Sequence, residues 1–194
     1  MFFLRALFAA LTVILLFTPA HAQQVNSDSV SGITNLKRLE STVACAGATT
    51  PESMRAVKEM GFASVVNLRE ASEPGANVEA ESAAAKAAGL RYVHLPLNRE
   101  SPDPAVADRF LIAARDPANQ PMLIHCASGN RAAAMWLIKR AVIDGWPIER
   151  ATAEAERLGL EHEPWKKFAA DYVRAHQGFV KSPGANRQPS AAGR

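Results

Sequence analysis

Two cysteines in 194 residues are too few to build a zinc cage or the disulfide framework of a small secreted scaffold. The five histidines show no ligand spacing, so neither a metal nor any other cofactor is expected. An excess of charge of one sign is lacking too, since 22 Lys and Arg stand against 19 Asp and Glu. Part of that small difference lies at the ends, with Arg5 near the start and Lys181, Arg187 and Arg194 in a final stretch without acids. A chain this close to neutral in its main body carries no signature of nucleic-acid binding. Beyond residue 17 no apolar run approaches the length needed to cross a bilayer.

The longest apolar run comes first. Residues 1–22 place Arg5 before a largely apolar stretch over 7–17 and end in Ala20-His21-Ala22, a small-x-small cleavage pattern. This reads as a secretory signal peptide cut after Ala22, too short in its apolar part to serve as a comfortable anchor. The mature chain is then expected outside the cytoplasm, in the periplasm if the source is Gram-negative, with no stable membrane anchor. Residues 23–32 are polar and Ser-rich and read as a flexible lead-in. Residues 177–194 hold Gly, Pro, Ser and charge with little to bury, and read as a disordered tail.

Between them, residues 33–176 have the length of one domain with its own core. The order is alternating. Apolar patterning predicts one or two strands over 33–47, the second at 42–46, and further strands over 63–69, 91–97 and 121–125. Helices are predicted after Thr49 or Thr50 as cap, over 78–88, from Asp103-Pro104 through 114, over 131–143, from Ile148 through 158, and from Glu163 to about 176. Trp136, Trp146 and Trp165 read as packing anchors, and His162, between Glu161 and Glu163, as a solvent-exposed residue. Strands alternating with helices predict a single α/β domain with a mainly parallel central sheet and helices on both faces. In such a sheet function gathers at the carboxyl ends of the strands, where Arg69, the stretch 98–100 and Cys126 fall.

The most informative stretch is Pro121-Met122-Leu123-Ile124-His125-Cys126-Ala127-Ser128-Gly129-Asn130-Arg131. A buried strand, a tight loop and an Ala-rich helix follow one another within it. A loop of that kind aims backbone N–H groups and the positive end of the helix dipole at one point, which attracts anions. Cys126 opens the loop where that field favours a thiolate. Arg131 closes it with a planar fork suited to an oxyanion. Each residue alone has an ordinary explanation, as a small buried hydrophobe, a turn glycine or a surface charge. Together they place a nucleophile inside an anion cradle, so a phosphorylated or other oxyanionic substrate is expected, bound by Ala127, Ser128, Gly129, Asn130 and Arg131.

His125-Cys126-x-x-Gly129-x-Arg131 resembles the active-site loop shared by cysteine-dependent phosphatases and rhodanese-type sulfurtransferases. Four residues separate Cys126 from Arg131, a rhodanese-like spacing where the phosphatase pattern has five, and Ala132 replaces the usual hydroxyl residue. The flanks, Val65-Val66-Asn67-Leu68-Arg69, Arg91-Tyr92-Val93-His94-Leu95-Pro96-Leu97 and the helices after Gly145-Trp146, are similar to dual-specificity-type cysteine phosphatases. Among these the chain most resembles the bacterial phosphatase-like group that includes the N-terminal domain of beta-lactamase-hydrolase-like proteins. The resemblance implies Cys126 as nucleophile through a phosphocysteine, Arg131 and the loop amides as hold on the phosphoryl group, and His125 as the residue that orients the loop.

The same resemblance exposes a gap. Its general acid is an Asp after the 91–97 strand, and Arg99 stands at that position. Glu100 and Asp103 are the nearby substitutes, Asp103 having an alternative role as cap of the helix that Pro104 opens, and Arg99 is a candidate second anion contact. Cys45, near the end of its strand, is a candidate redox partner for Cys126, because an even cysteine count in an oxidising compartment commonly means a bridge. Three functions follow: a secreted phosphatase on phosphomonoesters, protein phosphotyrosine among them; a sulfurtransferase carrying a persulfide on Cys126; and an anion-binding module without catalysis.

Overall fold

The computed structural model describes residues 24–180. They form one mixed sheet of six strands in the order β1-β2-β3-β6-β4-β5. The strands are β1 Val25–Ser27, β2 Lys37–Leu39, β3 Val43–Ala46, β4 Ser64–Asn67, β5 Arg91–His94 and β6 Met122–His125. The pairs β3/β6, β6/β4 and β4/β5 are parallel, while β1/β2 and β2/β3 are antiparallel. All four residues of β3, β4 and β6 are buried, as central parallel strands covered on both faces should be.

Alternation along β6 sets the whole site. Met122, Ile124 and Cys126 belong to the larger core, formed with α3 Pro104–Arg115, α4 Asn130–Val142, α5 Ile148–Arg157 and α6 Glu163–Val180. Leu123 belongs to the smaller core on the other face, which α1 Met54–Glu59 and α2 Val78–Ala87 cover. A strand turns successive side chains to opposite faces, so His125 and Cys126 end up on opposite sides of the sheet. α4 runs through the larger core with ten of its residues buried. Trp136 Nε1 and Arg140 Nε both donate to Glu154 Oε1, at 2.7 and 2.6 Å, and tie α5 to α4.

The predicted α/β order matches this architecture, and local details differ. The segment 23–32, expected to be flexible, contains β1, whose Val25 sits opposite Leu39 and whose neighbour Asp28 accepts from Arg38 Nε at 2.7 Å. Backbone pairing and that ion pair order a stretch with few apolar side chains. The turn after Thr50 is a 3-10 turn, Pro51–Ser53, before α1, and the Thr50 side chain makes no bond to its amides. α6 continues past the expected end near 176 to Val180. The signal peptide expected at 1–22 and most of the expected tail lie outside the described residues.

Candidate active site

β6 ends where Cys126 N–H donates to Ala46 O at 3.2 Å. The chain then turns through Ala127 and Ser128, whose carbonyls are drawn outward. Ala48 N–H donates to Ala127 O at 3.1 Å, and Asn35 Nδ2 to Ser128 O at 3.2 Å. Gly129, the N-cap of α4, has φ 103°, a conformation that an L side chain would strain. Its N–H points at Cys126 Sγ, 3.1 Å away. Gly47 at the end of β3 leaves room for this loop, since a Cβ there would lie 2.3 Å from Thr34 Oγ1 and 3.1 Å from Ala127 O. The first-turn amides of α4 and the dipole of that 13-residue helix face the same point. Cys126 itself is 1% exposed.

Arg131 enters from the first turn of α4 and is buried. Its Nη1 donates to Leu68 O at 3.1 Å, Leu97 O at 2.9 Å and Glu73 Oε1 at 2.6 Å, and its Nη2 donates to Glu73 Oε2 at 2.8 Å. The terminal Nη1 and Nη2 side of the fork is therefore taken within the protein, and an oxyanion in the cavity that Arg131 lines would meet another edge. One edge of the guanidinium is held by Glu73 and by the carboxyl ends of two strand segments. Because Nη1 lies cis to Cδ, the remaining edge joins Nε–H to the second Nη2 proton. Burial opposes the charge on Arg131, but the Glu73 bonds and Cys126 outweigh it and raise the guanidinium pKa. Burial likewise opposes ionisation of Glu73, yet the Arg131 bonds, the Glu70 N–H and the charge of Arg69 hold its carboxyl below the usual range. Arg69 also donates to Pro74 O at 2.6 Å and Gly75 O at 3.2 Å, folding the loop that presents Glu73.

His125, expected to orient the loop, lies on the opposite face and is fully buried. Its Nε2 is 2.6 Å from Glu81 Oε1 of α2, and Thr49 Oγ1 is 3.3 Å from its Nδ1. The Thr49 hydroxyl, a candidate helix cap on sequence, is thus placed at this ring instead. Tyr92, whose phenol accepts from Asn67 Nδ2 at 2.8 Å, completes the layer. Burial first, and then Glu81, push the Tyr92 phenol pKa up, the Asn67 bond notwithstanding. A ring held this way anchors the end of β6 from behind.

A cavity of about 560 Å³ opens over the loop, walled by Ala127, Ser128, Asn130 and Arg131 on one side. Arg99 and Glu100 close a second side, and His162, Pro164 and Trp165 a third. Asp103 does not join them. Its carboxylate accepts from Ala105 N at 2.9 Å and caps α3, which is the alternative role that Pro104 had suggested for it. Cys45 stands opposite Ile124 in the β3/β6 register, two residues short of facing Cys126, and both thiols are free. With strands about 4.8 Å apart and two residues of rise adding about 6.6 Å, the two Cα atoms are about 8 Å apart, beyond the roughly 7 Å that a disulfide spans without backbone movement, which argues against the expected redox pairing. Burial, and after it Cys126 and Glu154, push the Cys45 thiol pKa well up. Sequence reasoning missed Glu73, which sits 58 residues from Arg131, and it missed the cavity role of His162 and Trp165. Only the Pro164 helix start beside His162 hinted at a fixed position. Among the described residues no cluster of three or more His, Cys, Asp or Glu is arranged to hold a metal.

The family model for the phosphatase-like domain of beta-lactamase hydrolase-like protein matches residues 35–143. A Shewanella putrefaciens CN-32 protein described as a candidate phosphatase superposes with a TM-score of 0.62 at 20% identity, covering 75% of this chain and 95% of its own. Pseudomonas aeruginosa TpbA in complex with pTyr gives 0.60 at 20% identity over 84% of this chain and 99% of its own. The core catalytic domain of the PP-IP phosphatase SIW14 from Saccharomyces cerevisiae, in complex with citrate, gives 0.59 at 18% identity over 78% and 96%. No protein of curated function matches the sequence.

Proposed function

The chain belongs to the phosphatase-like domain family of beta-lactamase hydrolase-like proteins, and from that membership we propose that it is a cysteine-dependent phosphatase acting on phosphomonoesters, aryl phosphates such as phosphotyrosine among them. The observation that carries the proposal is the contact between Gly129 N–H and Cys126 Sγ at 3.1 Å beside a guanidinium locked in place by Glu73. The Gly129 N–H and the first-turn amides of α4 lie beside the sulfur, where they serve the equatorial oxygens of a phosphoryl group once it arrives. The Cys126 thiolate attacks phosphorus, the ester oxygen leaves, and a phosphocysteine is later hydrolysed by water. Arg131 spans the transferring oxygens with its Nε edge, and Glu73 holds that edge in register, so no reorganisation is needed as charge develops. The pTyr complex of the TpbA neighbour supports an aryl phosphate as the first substrate to try. The signal peptide expected at residues 1–22 makes export, to the periplasm if the source is Gram-negative, part of the proposal, checked by fractionation of the full-length protein.

Phosphate release from 4-nitrophenyl phosphate and from a phosphotyrosine peptide tests the reading, with Cys126→Ser as the inactive control. One feature favours a second reading. The four-residue spacing between Cys126 and Arg131 suits a sulfurtransferase that carries a persulfide on the same sulfur. Thiocyanate formed from thiosulfate and cyanide, without phosphate release from either ester, would establish that reading in place of the first.

A further inference from the structure

We propose that His162 is the group that gives a proton to the leaving oxygen and later takes one from the attacking water. The proposal rests on the phosphatase reading above. The titratable and charged walls of the cavity are Arg99, Glu100, Arg131 and His162. Arginine cannot act, because its guanidinium does not release a proton in a protein. Glu100 and His162 remain, and imidazole is the side chain whose charge changes between pH 5 and 8, so it both gives and takes a proton near neutrality.

The backbone around His162 is fixed at both ends. Its N–H donates to Asn130 Oδ1 at 2.8 Å, and the Glu161 N–H donates to the same oxygen at 2.8 Å. Its carbonyl accepts from Trp165 N at 3.0 Å and Lys166 N at 3.2 Å in the first turn of α6. His162 lines the cavity, and with both main-chain groups committed its imidazole is the group of the residue able to exchange a proton. Asn130 lies in the segment that runs from Cys126 to Arg131, so one side chain ties the histidine to the loop that would hold the phosphoryl group. Arg99 and Glu100 face His162 from the loop after β5, and Arg131 faces it from α4. Glu161 and Glu163 flank it in sequence, and Lys166 is paired with Glu156 and Glu163 at 2.8 and 3.1 Å.

The steps balance. As the S–P bond forms and the P–O ester bond breaks, the imidazolium proton passes to the ester oxygen, leaving an alcohol or phenol, a phosphocysteine and neutral imidazole. Water then attacks phosphorus, its proton returns to the imidazole, the S–P bond breaks, and inorganic phosphate leaves the regenerated thiolate.

A leaving-group series on the full-length protein tests this. Phenyl phosphate needs a proton on departure, whereas 4-nitrophenyl phosphate leaves readily without one. His162→Gln is expected to lower kcat for phenyl phosphate by about 10²-fold, to change the 4-nitrophenyl rate by only a few fold, and to remove one limb of the pH profile, with KM little altered. Loss by the same factor across the series with an unchanged pH profile would overturn the proposal. So would a steepened leaving-group dependence in Glu100→Gln with His162→Gln parallel to wild type. Wild-type protein that releases phosphate from neither ester and acquires no phosphoryl on Cys126 would overturn the phosphatase reading itself, and this proposal with it.

Discussion

Replacing Glu73 by Gln removes the carboxylate that takes both Nη atoms of Arg131 at 2.6 and 2.8 Å. Both side chains are nearly buried, at 3% and 9% exposure, so water does not fill the gap freely. Deleting one partner of a buried pair costs about 3–5 kcal/mol when the other charge is left unmatched. Here Arg131 keeps Leu68 O and Leu97 O, and Gln retains one acceptor, so the expected loss is about 2–3 kcal/mol. The guanidinium edge facing the substrate loses its backstop, and kcat/KM should fall by roughly 10–10²-fold. Urea unfolding of both proteins, with 4-nitrophenyl phosphate turnover in parallel, measures the two effects. The acid dependence has a definite sign. Glu73 has a lowered pKa when folded, so its contribution is complete above the ordinary carboxylate value of about 4.3 and is lost as pH falls through the folded value. The stability gap between wild type and Glu73→Gln is therefore full at pH 7 and shrinks in acid. A gap below about 0.5 kcal/mol at pH 7, or one that widens on acidification, would refute the assigned role.

Cys126→Ser should abolish turnover while still binding phosphate or vanadate, because the hydroxyl keeps the shape but not the nucleophile; titration calorimetry separates the two, and joint loss would mean the loop has collapsed. Arg131→Lys keeps the charge and loses the fork that spans Glu73 and the two carbonyls, so the rate should drop by about 10²-fold or more, and near-wild-type kinetics would reduce Arg131 to a simple charge. Gly129→Ala meets no close contact, with its nearest atoms at 3.7 Å, but strains a φ of 103° at a cost of about 1–3 kcal/mol, read as a lowered Tm. Thiol counting on the native protein should find both cysteines free, and activity of Cys45→Ala should show the same indifference to reductant as wild type.

The strand, loop and helix around Cys126 were legible because each carries a local signal: an apolar run after Pro121, a glycine at the turn, and a helix whose apolar residues cover most of its surface. The separation of His125 from Cys126 follows from strand alternation alone. Glu73 was not legible, since its pairing with Arg131 arises from the sheet order that brings the ends of β4 and β6 together, and no short-range pattern encodes that order. Asp103 shows the reverse difficulty. Its type and position suited two roles, and the neighbouring Pro104 favoured the cap that the structure shows. Cys45 depended on a register of two residues, which sequence does not supply. β1 was missed because its partners, not its own side chains, hold it in place. His162 lacked any periodic or spacing signal, and only the fold brings the start of α6 over the loop.

The central claim is that the Cys126 sulfur attacks phosphorus. Acid quenching of the wild-type protein during turnover of 4-nitrophenyl phosphate, followed by mass spectrometry of the peptide containing Cys126, tests it most directly. The account predicts a gain of one phosphoryl group on that peptide, absent in Cys126→Ser and accumulating with the burst of 4-nitrophenol. An unmodified peptide during active turnover, or a gain of one sulfur after incubation with thiosulfate in its place, would contradict it.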